Sequence, residues 1–415
     1  MTPLRVAVVI TRLEGGAGVL ALRGARVMDP RRFEVTIITG SGDRLLAAAT
    51  GNGIRTVVEP ALRAQIAPRS DVRAVGRIAS LLAERRFDVM HSHCAKAGAV
   101  GRLAARRAGI GRIVHTYHGF PFHEFQSAAR RQAYITAERR LGRITDVVLC
   151  VGTGVAVEAI RRGLAAPERI RTIGVAVDGA DPPSARVPVR TGETCRRARA
   201  MLGLPADATV VGAVGRLTYQ KAPEDFVAAM RALGRPDAIG VWIGGGELAG
   251  RVARLAAATP RPRVLLAGER ADVPDLLPAF DVFVLPSRYE GLPTAVVEAM
   301  VCGVPVVATA VNAVGDVVVP GETGLLVPPR RPGLLAAAVR YLLSSPETAA
   351  AMAENARARL GDRYGETALR GTLEAAYAPG HPSVTGGFRP GRRTRFLSRR
   401  LTDANHPTNK HQPVP

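Results

Sequence analysis

Two carboxylates, Glu290 and Glu298, stand eight positions apart in the run FDVFVLPSRYEGLPTAVVEAMVCGVP, residues 280–305. An ionised carboxylate accepts two hydrogen bonds at once, so a glutamate held in place can grip a pair of sugar hydroxyls. Arg216 and Lys221 flank the turn GRLTYQK, a planar fork and a point charge suited to phosphate oxygens. Only three lysines, Lys96, Lys221 and Lys410, stand among 57 basic residues, which makes a lysine inside a motif informative. Gly15-Gly16 in LEGGAG lets backbone N–H groups come close to a phosphate. His118, beside a glycine in TYHGFPFH, offers a ring that donates from one nitrogen and accepts at the other. Each has a plainer reading: an arginine ion pair for Glu298, a tight turn for the glycines, a core histidine for His118.

The elements that must position them follow from apolar runs and stop signals. Val282–Leu285, halted by Pro286, reads as a buried parallel strand. Pro293 suits a helix start and Gly303 its left-handed end. Val304–Thr309 is the next strand, which completes a βαβ unit. Apart from Glu298 that helix is uncharged, so it is predicted to be buried, Glu298 with it. Glu290 is placed in the loop at the mouth. Strand Val6–Ile10 precedes the glycine pair, and helical spacing resumes at Val19. Strands at 87–91 and 112–116 follow, the second running into His118. Strands at 210–214, 239–243 and 264–267 open the second half. Every candidate thus follows a strand and precedes a helix, the ligand edge of such a sheet. The fold class is α/β: two Rossmann-like, doubly wound parallel-sheet domains. His91-Ser92-His93-Cys94 has the spacing of alternate strand residues with no fourth ligand, so no metal site is expected there. The GxGxxG fingerprint of a dinucleotide site is missing around Gly16.

At 415 residues the chain is expected to form two domains. They are read as an amino-terminal domain 1–178, a connection 179–200, a carboxy-terminal domain 201–363, a helix 364–378 packing back on the first domain, and a basic disordered tail 379–415. The formal charge of +22 favours anionic partners without choosing among them. A nucleic-acid partner is disfavoured by 4% aromatics and one Trp, with no recognised module. Four separated cysteines point to a reducing cytoplasm rather than a disulfide framework. No apolar run reaches the roughly 18 residues of a membrane span, and the basic tail is read as a peripheral contact with anionic lipid.

Over residues 4–377 the chain resembles family 4 glycosyltransferases of the GT-B fold, two Rossmann-like domains facing across a cleft. The most specific matches are PSRYEGLPTAVVE, EAMVCGVPVVAT and GETGLLVPP, joined by GRLTYQK and LEGGAG. The stretch HSHCAKAGAVGRLAARRAGI is similar to a branch that builds bacterial capsular and extracellular polysaccharides on lipid-linked acceptors. The resemblance implies a retaining transfer of a hexose or N-acetylhexosamine from a nucleoside-diphosphate sugar, UDP-linked by the branch, to an acceptor hydroxyl. It implies no metal and no cofactor, with Arg216 and Lys221 holding the donor diphosphate. It further implies that Gly16 touches that diphosphate, Glu298 binds the ribose, Glu290 with Gly291 and Leu292 meets the sugar or phosphate, His118 bonds the donor sugar and Arg270 lies near the base. Ala222 stands where a glycine usually follows the lysine, and Asn312-Ala313 where a glycine pair is common. A nucleotide-sugar epimerase on the same fold is the alternative, and a dinucleotide-dependent oxidoreductase the weaker one.

Overall fold

The computed structural model describes residues 2–122, 126–174, 188–258, 261–360 and 364–378. His123 of the histidine motif, residues 179–187 of the expected connection and the tail from 379 lie outside them.

The first half alternates strand and helix: β1 (Leu4–Arg12), α1 (Gly15–Val27), β2 (Phe33–Ser41), α2 (Arg44–Gly51), β3 (Arg55–Val58), α3 (Pro68–Glu84), β4 (Val89–His93), α4 (Ala95–Ala108), β5 (Arg112–Tyr117), α5 (Ala128–Gly142), β6 (Val147–Cys150), α6 (Thr153–Arg161) and β7 (Ile170–Thr172). The second half holds α7 (Gly192–Met201), β8 (Val210–Val214), α8 (Pro223–Ala232), β9 (Ile239–Ile243), α9 (Ala249–Ala257), β10 (Arg263–Gly268), α10 (Val273–Leu276), β11 (Val282–Leu285), α11 (Thr294–Cys302), β12 (Val306–Thr309), β13 (Leu325–Val327), α12 (Pro332–Ser344), α13 (Pro346–Leu360) and α14 (Glu366–Tyr377). All pairings between these strands are parallel, in the orders β3-β2-β1-β4-β5-β6-β7 and β10-β9-β8-β11-β12-β13. Strand order reverses between β1 and β4 and between β8 and β11, the switch points where such sheets take ligands.

Local chemistry accounts for the boundaries that differ from the expected ones. The glycine pair is the first turn of α1, not a turn before it. The strand expected at 87–91 is β4, two residues on. Phe87 closes the end of α3, its N–H bonded to Leu82 O, and the Asp88 carboxylate accepts the Arg5 N–H. Residues 192–200, assigned to the connection, form α7 together with Met201. A reciprocal Thr191–Thr194 capping box starts it, a signal that TGET carried in the sequence. Arg199, nearly buried, ties α7 to the second half through Asp281 (2.9 and 3.1 Å) and Ala279 O (3.2 Å).

Helix α14 packs on the first half. Leu369, Leu373 and Tyr377 are almost fully buried, each worth roughly 1.5–3 kcal/mol relative to exposure. The Tyr377 hydroxyl bonds His91 Nδ1 at 2.7 Å, and Arg370 donates to Val27 O in α1.

Candidate active site

The two switch points face each other. A methyl group added at Gly16, in the first turn of α1, would stand 3.7 Å from Thr294 Oγ1, in the first turn of α11. Two helix N-termini, each with unpaired N–H groups and partial positive charge, therefore meet at one place. Nearby, a methyl group at Gly291 would lie 1.9 Å from His118 O. Only a residue with no side chain allows that approach, and it sets the Glu290 loop against the end of β5.

Glu290 lies in the loop between β11 and α11, as expected, and is buried there. It is 7% exposed, and its Oε1 accepts from Lys221 Nζ and Ser287 Oγ, both at 2.5 Å, while Gln220 Nε2 stands 3.4 Å from Oε2. Lys221 lies over Gly215, at the end of β8. The turn after β8 and the loop after β11 are thus joined by an ion pair, reinforced where Arg288 N donates to Gln220 O (2.8 Å) and its guanidinium covers the Tyr219 ring. Thr309 Oγ1, at the end of β12, holds Ser287 O at 2.6 Å. Burial of the pair demands this many partners. Lys221, expected on a phosphate beside Arg216, is engaged by Glu290, while Arg216 is exposed.

Glu298 is less buried than expected. Its helix is buried at Val296, Val297 and 299–302, but Glu298 is only half-buried, with Thr294 and Ala295 on the same face. Positions 294, 295 and 298 form one stripe of a helix, and that stripe includes the residue facing Gly16. Leu292 turns its side chain into the core. Arg270 sits in the turn after β10 and pairs with Asp272 at 2.6 and 2.8 Å. That strand is two places from β8, roughly 10 Å at the usual strand spacing.

The first half brings neutral rings. His118 Nε2 and His93 Nδ1 share a hydrogen bond of 2.9 Å. His91 Nε2 meets Thr116 Oγ1 at 2.7 Å, and His115 Nδ1 meets Ser92 Oγ at 3.0 Å. Burial pushes the His118 ring down to about 4 and, with repulsion from His118, the His91 ring down to about 3. His93 and His115 are held well below the ordinary range, chiefly by burial. All four are neutral near pH 7. Behind them the buried Glu138 carboxylate accepts from Arg102 Nη2 (2.7 Å) and the Tyr117 hydroxyl (2.8 Å), fixing the residue before His118.

The structure therefore gathers Gly16, His118, Lys221, Glu290 and Gly291, with Thr294 and Glu298 on the facing helix. Sequence reasoning missed Ser287, Gln220, His93 and Asn312. Ser287 lies three residues before Glu290 and could have been found; the others reach the site from distant strands.

Comparison with known proteins agrees with this geometry. The profile described as "Glycosyl transferases group 1" matches residues 196–359 and that of "Glycosyltransferase Family 4" residues 14–180. The chain is similar to an Escherichia coli UDP-Gal:alpha-D-GlcNAc-diphosphoundecaprenol alpha-1,3-galactosyltransferase, 29% identical over 72% of this chain and 77% of the relative. It is also similar to a Rhodococcus opacus D-inositol 3-phosphate glycosyltransferase, 31% identical over 87% and 85%. Among solved structures, Anabaena HepE in complex with UDP and glucose superposes with a TM-score of 0.78 at 21% identity, over 90% of this chain and 98% of that one. WaaG, a glycosyltransferase involved in lipopolysaccharide biosynthesis, gives 0.71 at 16%, over 90% and 100%. The two sheets have the GT-B architecture of these neighbours, and the chain belongs to glycosyltransferase family 4, a group 1 glycosyltransferase that uses a sugar-nucleotide donor.

Proposed function

We propose that this protein transfers a hexose or N-acetylhexosamine from a UDP-sugar to a hydroxyl of a saccharide or lipid-linked saccharide acceptor, with retention at the anomeric carbon and without a metal ion. The observation that carries this reading is the meeting of the α1 and α11 N-termini, with Lys221 held by Glu290 in the loop that leads into α11 and Arg216 exposed at the end of β8. A diphosphate there would face two helix ends and two cations, fixed charges that can offset the charge growing on the leaving group. Glu298 on the same face of α11 is the ribose ligand, and Glu290 with the Gly291 backbone addresses the sugar. With His118 Nε2 engaged by His93, Nδ1 is the nitrogen left for a sugar hydroxyl. A neutral ring suits that role, because it neither repels the donor carbon nor competes for the phosphates.

The acceptor oxygen bonds to the anomeric carbon on the face from which the diphosphate departs. The C1–O bond to phosphate breaks with its electron pair, and the acceptor proton passes to the departing phosphate oxygen. No separate base is required. The UDP assignment and the lipid-linked acceptor draw support from the E. coli relative, whose name specifies both. No helix among the described residues is long and apolar enough to cross a membrane. We assign contact with a membrane that carries a lipid-linked acceptor to the basic tail.

A thermal-shift panel with UDP, GDP, ADP and NAD tests the reading, since a ligand bound only by the folded state raises the melting temperature. UDP alone is expected to act, with the shift lost in Glu298→Ala and unchanged by EDTA. A shift with NAD alone would overturn it. The anomeric configuration of the product, read by NMR, decides retention.

A further inference from the structure

Residues Asn312–Asp316 form a short 3-10 turn after β12 that touches the Glu290 loop on one side and the first half of the chain on the other. Asn312 Oδ1 accepts the Glu290 backbone N–H at 3.0 Å. Asp316 Oδ2 accepts the N–H groups of Thr153 (2.5 Å) and Gly154 (3.2 Å), the first two residues of α6. The residue at the head of α6 is Gly152, which has no side chain to cap it. A carboxylate from the second half therefore caps a helix of the first, in charge-assisted bonds at the positive end of the helix. The approach is tight: a methyl group at Gly152 would lie 2.7 Å from Asp316 Oδ2, and one at Gly154 3.1 Å from Asn312 O. Asn312 itself holds φ at 42°, a left-handed conformation that asparagine tolerates better than most residues.

The reaction described above assigns nothing to this turn, yet beside the Gly291–His118 approach it is a second link between the docking of the halves and Glu290, and the one that ends on the Glu290 N–H. We propose that Asn312 and Asp316 are positioning residues: Asp316 anchors the turn to α6, and Asn312 carries that anchoring to the Glu290 backbone. The Glu290 backbone N–H then keeps its acceptor in place only while the two halves are docked. Without the α6 contact, the turn keeps its covalent tie to β12 and its buried Ala313 and Val314 but loses the two bonds that tie it to the first half. The acceptor of the Glu290 N–H moves with it, while Lys221 and Ser287 still hold the carboxylate. The functional consequence rests on Glu290 standing at the donor site, as proposed above; the coupling itself does not.

Hydrogen–deuterium exchange on the full chain without ligand tests the coupling, following the peptide over residues 287–292. Asp316 does not touch Glu290, yet Asp316→Ala is expected to speed exchange at the Glu290 amide roughly tenfold. Asp316→Asn keeps an acceptor oxygen and is expected to restore most of the protection. Asn312→Gly keeps the backbone conformation, removes the acceptor and should match Asp316→Ala; the double variant should add nothing. Wild-type exchange in Asp316→Ala, or additive effects in the double variant, would overturn the proposal. So would an equal loss of protection in β6 and β9, which signals general loosening. A parallel arm measures turnover of a UDP-sugar and the Kd for UDP. Turnover is expected to fall at least tenfold in Asp316→Ala with Kd within about twofold. A wild-type chain that binds no UDP would sink the donor reading while the exchange arm still decides the coupling.

Discussion

The ligand edges of the two sheets are built from different chemistry. At the first sheet the side chains are the rings of His91, His93, His115 and His118, kept neutral by burial, beside the bare backbone of Gly16. At the second sheet they are basic and acidic: Arg216, Lys221, Glu290 and Glu298. On the proposed reading, charge is concentrated where the diphosphate would be held and released, and neutral hydrogen bonding where the sugar would be oriented. Charged side chains gathered chiefly on one wall would act on the leaving group without fixing the acceptor in place. The folds match, so the contrast comes from the residues at the strand ends.

The comparison breaks first at Lys221. With Lys221 in its proposed role at the developing charge, Lys221→Ala is expected to lower kcat/KM about 10³-fold. The same change leaves the buried Glu290 with Ser287 and Gln220 but without its cation, so the urea midpoint should fall as well, by about 3 kcal/mol of stability. A variant with near wild-type kcat/KM would remove the lysine from the reaction. Next, Glu298→Ala should weaken UDP binding roughly 10- to 100-fold by calorimetry with little change in melting temperature, since the residue is half-buried. Glu290→Ala should instead lower mainly turnover. Exchanged phenotypes would exchange the two roles.

On the neutral wall the expectation concerns pH. The rings of His91 and His118 titrate at about 3 and about 4 in the folded chain, against about 6.5 for an ordinary histidine. The unfolded chain therefore binds more protons between those values, and stability must fall as pH drops from 6.5 toward 4. Denaturation midpoints measured across that range are expected to decline, and His118→Asn should flatten the slope. An unchanged slope would contradict neutral burial of this ring. The smallest effect belongs to the tail. Removing residues 379–415 should leave the melting temperature within about 2 °C and reduce co-sedimentation with anionic liposomes. Equal binding by both chains would take the tail out of the account.

Much of this architecture could be read from the chain alone. Val210–Val214, Ile239–Ile243 and Val282–Leu285 are strands with the expected bounds, because strands of a covered parallel sheet are short apolar runs ended by turn residues. Glu298 shows where pattern reading stops. An uncharged helix looks buried all round, but its first turn faces the opposite domain, and sequence carries no mark of that. The burial of Glu290 was equally hidden: its partner Lys221 lies 69 residues away, brought close only because β8 and β11 are neighbours. Asp316 and Thr153, 163 residues apart, meet only once both halves exist. Local signals specify elements, while pairings of charge depend on topology.

The return of α14 to the first sheet bears on how the chain is made. Synthesis delivers the amino-terminal half first, yet Leu369, Leu373 and Tyr377, which cover α1 and His91, emerge near the end. Until then, that half exposes an apolar strip to the surroundings of the ribosome. The half that is made first is finished last, and the nascent chain must be kept from sticking for most of its translation.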